Sequence, residues 1–147
     1  MILRAAALDD ALDVLAWRND PLTRDMSRAQ DPIDEAGHLA WFGQAIADPN
    51  RTLLIGELGG EKIGMVRFDR AEETEVSINM NPRFRGRGLG YELLMAALAQ
   101  ARGSIVAEIR EENLASQRLF ERAGFVFDRA ADGLRRYVRP ATSAAQP

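Results

Sequence analysis

The chain has 147 residues, of which 46% are hydrophobic and 28% charged, and a formal net charge of −3, which is the composition of one globular domain. It contains no cysteine and one histidine, so disulfides, thiol nucleophiles, zinc–thiolate sites and histidine metal clusters are excluded. The acidic balance argues against general nucleic-acid binding, which needs a broad basic surface.

The chain has no feature that predicts a membrane partner. No run approaches the ~18 consecutive apolar residues that a membrane span requires. The first ten residues are apolar only briefly before Asp9 and Asp10, which is a poor match to a signal peptide. We therefore expect a cytoplasmic protein, present as a monomer or homodimer.

The first third of the chain predicts one strand and two helices. A short strand is expected at 2–4. A helix follows it, is capped by Asp9 or Asp10, and runs to about Arg18. We expect 20–31 to be irregular and a second helix to run from about 32 to 47. The apolar spacing predicts core faces formed by Leu12, Leu15 and Ala16 on the first helix and by Leu39, Phe42 and Ile46 on the second.

The rest of the chain predicts six strands and two further helices. Strands are expected at 52–58, 62–68, 75–81, 105–109, 125–127 and 136–138, with Gly59-Gly60 as a hairpin turn and a second turn near Asp132-Gly133. One helix follows Gly90, with Leu93, Leu94, Ala97, Leu98 and Ala101 inward. Another begins at Asn113 or Ser116 and ends at Gly124, with Ala115, Leu119 and Ala123 inward.

The element order, β-α-α-β-β-β-α-β-α-β-β, predicts an α/β sandwich around a mixed sheet. We expect a single domain over 1–139. The tail at 140–147 is small and polar, and we expect it to be disordered.

The glycine-rich stretch Arg85–Gly90 lies between a predicted strand and a predicted helix. The first backbone N–H groups of a helix have no partner within the helix, and the helix dipole favours an anion there. A P-loop would need Lys and Ser/Thr where Tyr91 and Glu92 stand, and the dinucleotide fingerprint would need glycine at Tyr91. The stretch is therefore a different phosphate loop or, as the alternative, a solvated turn.

The spacing of Arg85, Gly88 and Gly90 resembles the pyrophosphate loop of the GNAT acyltransferase superfamily, Arg/Gln-x-x-Gly-x-Gly/Ala. A second stretch resembles the same family: Glu108–Asn113, then Ser116, then Leu119–Phe125. The resemblance covers most of the chain. It implies a GNAT-like sandwich, with a mixed central β-sheet and helices on both faces. It also implies that the strands at 75–81 and 104–109 splay apart, with acetyl-CoA as co-substrate between them and no metal.

The resemblance further implies which residues bind acetyl-CoA. A backbone N–H near Met80 would polarise the acetyl carbonyl, and Asn113, with Ser116 nearby, would contact the pantetheine arm. Asn113 has the alternative role of an ordinary helix N-cap, and both roles can coexist. The complete predicted set is Met80, Arg85, Gly86, Arg87, Gly88, Leu89, Gly90, Tyr91, Asn113 and Ser116.

Glu108 is the candidate general base, because a carboxylate in a mostly apolar strand is unusual unless it is paired or functional. The alternative is a structural ion pair with Arg110 or Arg122. Glu75 is a second candidate, and its alternative is one more solvated charge in the acidic run at 72–75. Without cysteine, the amine would attack the thioester directly, with no acyl-enzyme.

The proton donor for the departing thiolate is the point where the chain departs from the family. Many members have a tyrosine where this chain has Phe120, which cannot donate a proton. Tyr137 is the candidate replacement, with Tyr91 as the other tyrosine. Each could instead be an amphipathic core residue, and water or an unassisted thiolate would then complete the reaction.

The amine acceptor is predicted from the first two helices. The stretch Trp17-Arg18-Asn19-Asp20-Pro21, followed by Arg24, resembles a branch that acetylates nucleotide-linked amino sugars, as in pseudaminic acid synthesis. Trp17, Arg18, Asn19 and Arg24 are the predicted acceptor residues, with a core role as the alternative for Trp17. A protein N-terminus or peptide amine is the alternative acceptor, and a non-catalytic acyl-CoA-binding module is the alternative class.

Overall fold

The computed structural model describes residues 1–27 and 30–141 and contains a seven-stranded mixed sheet. In sheet order the strands are β1, β2, β3, β4, β5, β7 and β6. Every neighbouring pair is antiparallel except β4 with β5, which is parallel. The strands are β1 (Ile2–Ala5), β2 (Arg51–Leu58), β3 (Glu61–Arg70), β4 (Thr74–Met80), β5 (Ile105–Arg110), β6 (Val126–Ala131) and β7 (Leu134–Arg139).

Five α-helices and two 3₁₀ turns connect these strands in the described residues. The helices are α1 (Ala11–Asn19), α2 (Pro21–Asp25), α3 (Glu35–Ala47), α4 (Leu89–Leu98) and α5 (Leu114–Arg122), and the 3₁₀ turns span Leu8–Asp10 and Pro82–Phe84. None of these helices is long and apolar enough to cross a membrane. The predicted tail falls mostly at 142–147, outside the described residues.

The sheet separates two hydrophobic clusters, because successive residues of a strand point to opposite faces. Leu54 and Val66 pack with α4 and α5 on one face, here called the α4 face. Their sequence neighbours Ile55 and Met65 pack with α1 and α3 on the opposite face of the sheet, here called the α1 face. The mixed sheet with helices on both faces confirms the predicted fold class.

The predicted core face of α1 is wrong, and the predicted core face of α3 is right only at Phe42. Their buried residues are Ala11, Val14 and Trp17 on α1 and His38, Phe42 and Ala45 on α3. Leu12 is 55% exposed, and Leu39 and Ile46 are 36% and 37% exposed. Both helices carry apolar residues around much of their circumference, so contact between the helices decides which stripe is buried. The His38 ring is tolerated inside because Nε2 lies 2.8 Å from the Ala11 carbonyl oxygen.

Two other local predictions also differ from the structure. The segment expected to be irregular contains α2, which Asp20 caps by accepting a hydrogen bond from Thr23 N at 3.2 Å, with proline at the first position. Ala115 is exposed on α5, where Gln117 and Phe120 are buried instead. Gln117 fits because its side-chain amide donates to the Arg110 and Glu111 carbonyls, at 3.1 and 2.9 Å.

Candidate active site

β4 and β5 run parallel but pair only where they begin. Their partners are Thr74 with Ile105 and Glu75 with Val106, and the described sheet has no pair beyond these, although β4 continues to Met80. The separated strands border a cavity of about 790 Å³. This gap lies where the family resemblance implied that acetyl-CoA binds.

The glycine loop forms one end of the cavity. Gly86 and Gly88 both have a φ of 74°, a left-handed conformation that residues with a Cβ rarely adopt. A Cβ built on either glycine would meet no atom within 4 Å, so the space beside the backbone is open. Gly88 is the N-cap of α4, whose first N–H groups lack partners within the helix. The loop therefore has the open backbone and unpaired N–H groups of an anion-binding site.

Most of the residues predicted to bind acetyl-CoA line this cavity, but Arg87 and Tyr91 do not. The Arg87 guanidinium lies over the Phe84 ring, 5.4 Å from its centroid, and Tyr91 stacks under Arg122 at 3.9 Å. The predicted residues on the wall are Met80, Arg85, Gly86, Gly88, Leu89, Gly90, Asn113 and Ser116.

Arg85 lines the cavity but is engaged by α2. Its Nη2 donates to Asp20 Oδ2 at 2.6 Å and to Thr23 Oγ1 at 2.5 Å. This hydrogen bond lowers the pKa of Asp20, the residue that caps α2. The arginine therefore joins the glycine loop to α2, which also lines the cavity.

Asn113 has the helix-capping role that sequence analysis offered as an alternative. Its Oδ1 accepts a hydrogen bond from Ser116 N at 3.1 Å at the start of α5. Asn113 and Ser116 also line the cavity. Capping holds the asparagine in a fixed orientation at the wall, so the capping role is compatible with a pantetheine contact.

Glu75 and Glu108 both lie on the α1 face of the sheet, on opposite sides of the gap. Each lines the main cavity and a second cavity of about 570 Å³ beside it. Glu108 is exposed and Glu75 is half-buried. A carboxylate is a group that can accept a proton from an amine.

The described cavity wall contains no tyrosine. Tyr137 is fully buried, and its hydroxyl donates to Glu121 Oε2 at 3.2 Å and accepts from Arg135 Nε at 3.1 Å. Phe120 is also buried and packs edge-to-face against Phe125, with ring centroids 5.0 Å apart. The structure therefore does not place Tyr137 as a proton donor, because a core role holds it away from the gap.

Of the four predicted acceptor residues, Arg18 alone lines the cavity. Trp17 is 6% exposed and belongs to the cluster on the α1 face. Asn19 fixes the chain before α3 by exchanging two hydrogen bonds with the backbone of Ile33, at 2.8 and 2.9 Å. Arg24 donates to the Gln30 carbonyl at 3.3 Å. The structure therefore separates Arg18 from the other three.

Arg67 on β3 and Asn79 on β4 are among the polar residues of the wall that the sequence did not indicate. The β3–β4 register pairs Arg67 with Ser77 and Met65 with Asn79. Because Met65 packs on the α1 face, all of these side chains point to that face. The strand alternation could have indicated this orientation, but a single sequence does not reveal which strands border the gap.

No group of His, Asp and Glu side chains in the described residues could hold a metal ion. The polar side chains on the wall carry carboxylate, guanidinium, hydroxyl and amide groups.

A family model described as an acetyltransferase (GNAT) domain matches residues 1–126 of the chain. The L-methionine sulfoximine/L-methionine sulfone acetyltransferase of Pseudomonas aeruginosa is 30% identical over 135 residues, which cover 84% of this chain and 78% of that protein. The N-alpha-acetyltransferase RimI of Mycobacterium tuberculosis is 33% identical over 93 residues, covering 58% of this chain and 59% of that protein.

The fold also matches solved structures. The structure of yncA from Salmonella typhimurium, determined with its cofactor acetyl-CoA, superposes with a TM-score of 0.80 and is 23% identical. The match covers 100% of this chain and 97% of that chain. The fold described above is therefore also the fold of a protein whose structure contains acetyl-CoA.

Proposed function

The chain belongs to the acetyltransferase (GNAT) family and is an acetyl-CoA-dependent N-acetyltransferase, and we propose that its acceptor is the primary amine of a small molecule. The observation that carries this proposal is the cavity through the sheet. It connects the open glycine loop at one end with Glu75 and Glu108 on the α1 face. A bound thioester and an amine would meet in this gap.

The loop residues bind and orient the cofactor in this proposal. The backbone at Gly86, Gly88 and Leu89 receives the pyrophosphate at the N-terminus of α4, while Asn113 and Ser116 hold the pantetheine arm. Acetyl-CoA supplies the acetyl group as a thioester. Its binding also brings the acetyl carbonyl within reach of the backbone N–H of Met80, a donor for the oxyanion that forms.

Glu108 is the proposed general base, with Glu75 as the second carboxylate of the site. The amine nitrogen bonds to the acetyl carbon, the carbon–sulfur bond breaks, and the proton of the amine passes to Glu108 directly or through water. Because the structure places Tyr137 in the core and Phe120 beside Phe125, the thiolate leaves without a tyrosine donor, unassisted or protonated by water.

The class of acceptor is the finer part of the proposal. The sequence resemblance favours a nucleotide-linked amino sugar, but Arg18 is the one residue of the predicted acceptor set that lines the cavity. The Pseudomonas relative is named for acetylation of methionine sulfoximine and methionine sulfone, which are small amino acids. The RimI relative, which matches a shorter part of the chain, favours a peptide N-terminus as the second candidate acceptor.

A thiol-release assay tests the function and separates these acceptors. The purified chain is incubated with acetyl-CoA and, in separate reactions, with methionine sulfone, a nucleotide-linked amino sugar and a short peptide. We expect turnover with at least one of the two small molecules that exceeds turnover with the peptide. Acetylation of the peptide alone would favour the RimI-like acceptor. Binding of acetyl-CoA without turnover of any amine would indicate a non-catalytic acyl-CoA-binding module.

A further inference from the structure

Three polar residues on the α1 face of the cavity have no role in the proposed chemistry. They are Arg18 on α1, Arg67 on β3 and Asn79 on β4, and all three line the same cavity wall. Each comes from a different element, so the fold rather than the local sequence brings them together.

Arg18 and Arg67 place two positive charges close together. Burial, and the charge of the neighbouring Arg67, lower the pKa of Arg18. Among residues 1–27 and 30–141, no acidic side chain lies within ion-pair distance of Arg18. Arg67 is held in place by Asp69, which accepts from its Nε at 2.9 Å, and by Trp41, whose ring centroid lies 5.2 Å from the guanidinium carbon. Arg67 thus has one carboxylate partner, which it shares with Arg51, and Arg18 has none among the described residues, so this part of the wall keeps excess positive charge.

Asn79 is an independent sign that this wall receives a ligand. Both polar atoms of its side chain are buried, and neither makes a hydrogen bond in the described part of the chain. A buried amide without partners is costly. Asn79 is a diagonal neighbour of Arg67 across the β3–β4 pair, so one group placed between them could reach both.

Of the two carboxylates of the site, Glu108 on β5 lies across the gap from this positive wall, whereas Glu75 is on β4, the strand that carries Asn79. Arg67 pairs with Ser77, and Glu75 pairs with Val106, so Glu108 lies level with Ser77 on the far strand. Adjacent strands are ~5 Å apart, which places the backbones of Arg67 and Glu108 about 10 Å apart or slightly more, given the splay. Long side chains from both sides leave room for a compact molecule with opposite charges at its two ends.

We propose that Arg18, Arg67 and Asn79 form an acceptor subsite for an acidic oxygen group, a carboxylate or a phosphate, on the molecule whose amine is acetylated. The inference rests on the proposed function and adds the chemical class of the acceptor. The acid group binds the two guanidinium groups and takes a hydrogen bond from the Asn79 amide. The amine then points across the gap toward Glu108.

Matched pairs of acceptors test the subsite. One pair is an L-amino acid and its C-terminal amide, and the other is a nucleotide-linked amino sugar and the same sugar without phosphates. We expect kcat/KM to be about ten- to a hundredfold higher for the acidic member of the productive pair, the range of a charge-assisted contact. The productive pair identifies the acid group as carboxylate or phosphate.

Variants then assign that preference to residues. Arg67→Gln removes the charge while Asp69 keeps Arg51, whose Nε is 3.3 Å from Asp69 Oδ1. We expect KM for the acidic acceptor to rise about ten- to a hundredfold, with KM for the neutral partner and for acetyl-CoA unchanged. Arg67→Lys should restore part of the preference. Arg70→Gln is the matched control, because Arg70 lies on the same strand but outside the cavity lining.

Asn79→Leu separates a ligand role from a structural one. Removing a buried amide without partners should leave the melting temperature unchanged or raise it, while KM for the acidic acceptor rises. Equal losses for acidic and neutral acceptors in the Arg67 variants, or a wild-type enzyme that does not distinguish them, would refute the subsite and leave the acetyltransferase proposal intact. Failure to acetylate any amine would instead overturn the proposed function, and this inference with it.

Discussion

The two ends of the cavity are built in different ways. Most of the cofactor end comes from one continuous segment, in which β4, the glycine loop and α4 follow each other in the chain, and Asn113 and Ser116 join it from the start of α5. The acceptor end combines Arg18 from α1, Arg67 from β3, Glu75 from β4 and Glu108 from β5. Backbone conformation shapes the first end, and side chains from distant parts of the chain shape the second. Substitutions at the two ends should therefore have different kinetic signatures.

The largest expected effect is at the acceptor end. Glu108→Gln keeps the shape of the side chain and removes the base, so kcat should fall about 10²–10⁴-fold, with acetyl-CoA affinity unchanged. Steady-state kinetics with an amine that the wild type acetylates measures kcat. Calorimetry with acetyl-CoA measures the affinity. Glu75→Gln is the matched variant on the other wall. If Glu75→Gln lowers kcat more than Glu108→Gln does, Glu75 rather than Glu108 is the general base.

At the cofactor end, Gly88→Asp should weaken acetyl-CoA binding by about a hundredfold. The substitution puts a side chain on a backbone with φ of 74° and a negative charge at the pyrophosphate site. Calorimetry measures the loss directly. Gly59→Asp is the control, because Gly59 also has a positive φ, 59°, but lies in the β2–β3 hairpin. Unchanged acetyl-CoA affinity in Gly88→Asp would exclude the glycine loop as the pyrophosphate site.

A charge network holds the start of α1, the helix that carries Arg18. Asp10 is 2% exposed and pairs with Arg4 and Lys62, both at 2.8 Å. The hydrogen bond from Arg4 is the main cause that holds the pKa of Asp10 well below its ordinary value. A carboxylate with a lowered folded-state pKa adds stability that is complete above its unfolded value of about 3.9 and is lost as the pH falls further.

Asp10→Asn should therefore lower the free energy of unfolding at pH 7 by about 3 kcal/mol, a typical cost of breaking a buried ion pair. The variant should also lose less stability than the wild type between pH 5 and pH 2. Urea titrations at several pH values measure both effects. Parallel curves for the two proteins across this range would show that Asp10 does not cause the acid sensitivity.

The smallest kinetic effect is expected for Tyr137→Phe. The phenol hydroxyl contacts Glu121 and Arg135 rather than the gap, so kcat should stay within about twofold of the wild type. Loss of these hydrogen bonds should lower the free energy of unfolding by about 1 kcal/mol. A fall in kcat of a hundredfold, with an unchanged melting temperature, would restore Tyr137 as the proton donor.

The sequence alone determined the parts of the protein that are local. The glycine loop, the alternation of strands and helices, and the Gly59-Gly60 and Asp132-Gly133 turns depend on near neighbours in the chain, so their patterns predicted them. The family was also predicted correctly, because the two motifs that carry the resemblance are short continuous segments. The branch that acts on nucleotide-linked amino sugars stays a prediction.

The tertiary structure decided which side chains share the site. α1 and α3 carry apolar residues on several sides, and packing of Trp17 and Phe42 into one cluster chose the buried stripes. The same packing put Trp17 in the core and left Arg18, the next residue, on the cavity wall. Arg67 and Asn79 came to that wall through the pairing of β3 with β4 and the separation of β4 from β5. Contacts of this kind join residues far apart in sequence, so no local pattern specifies them.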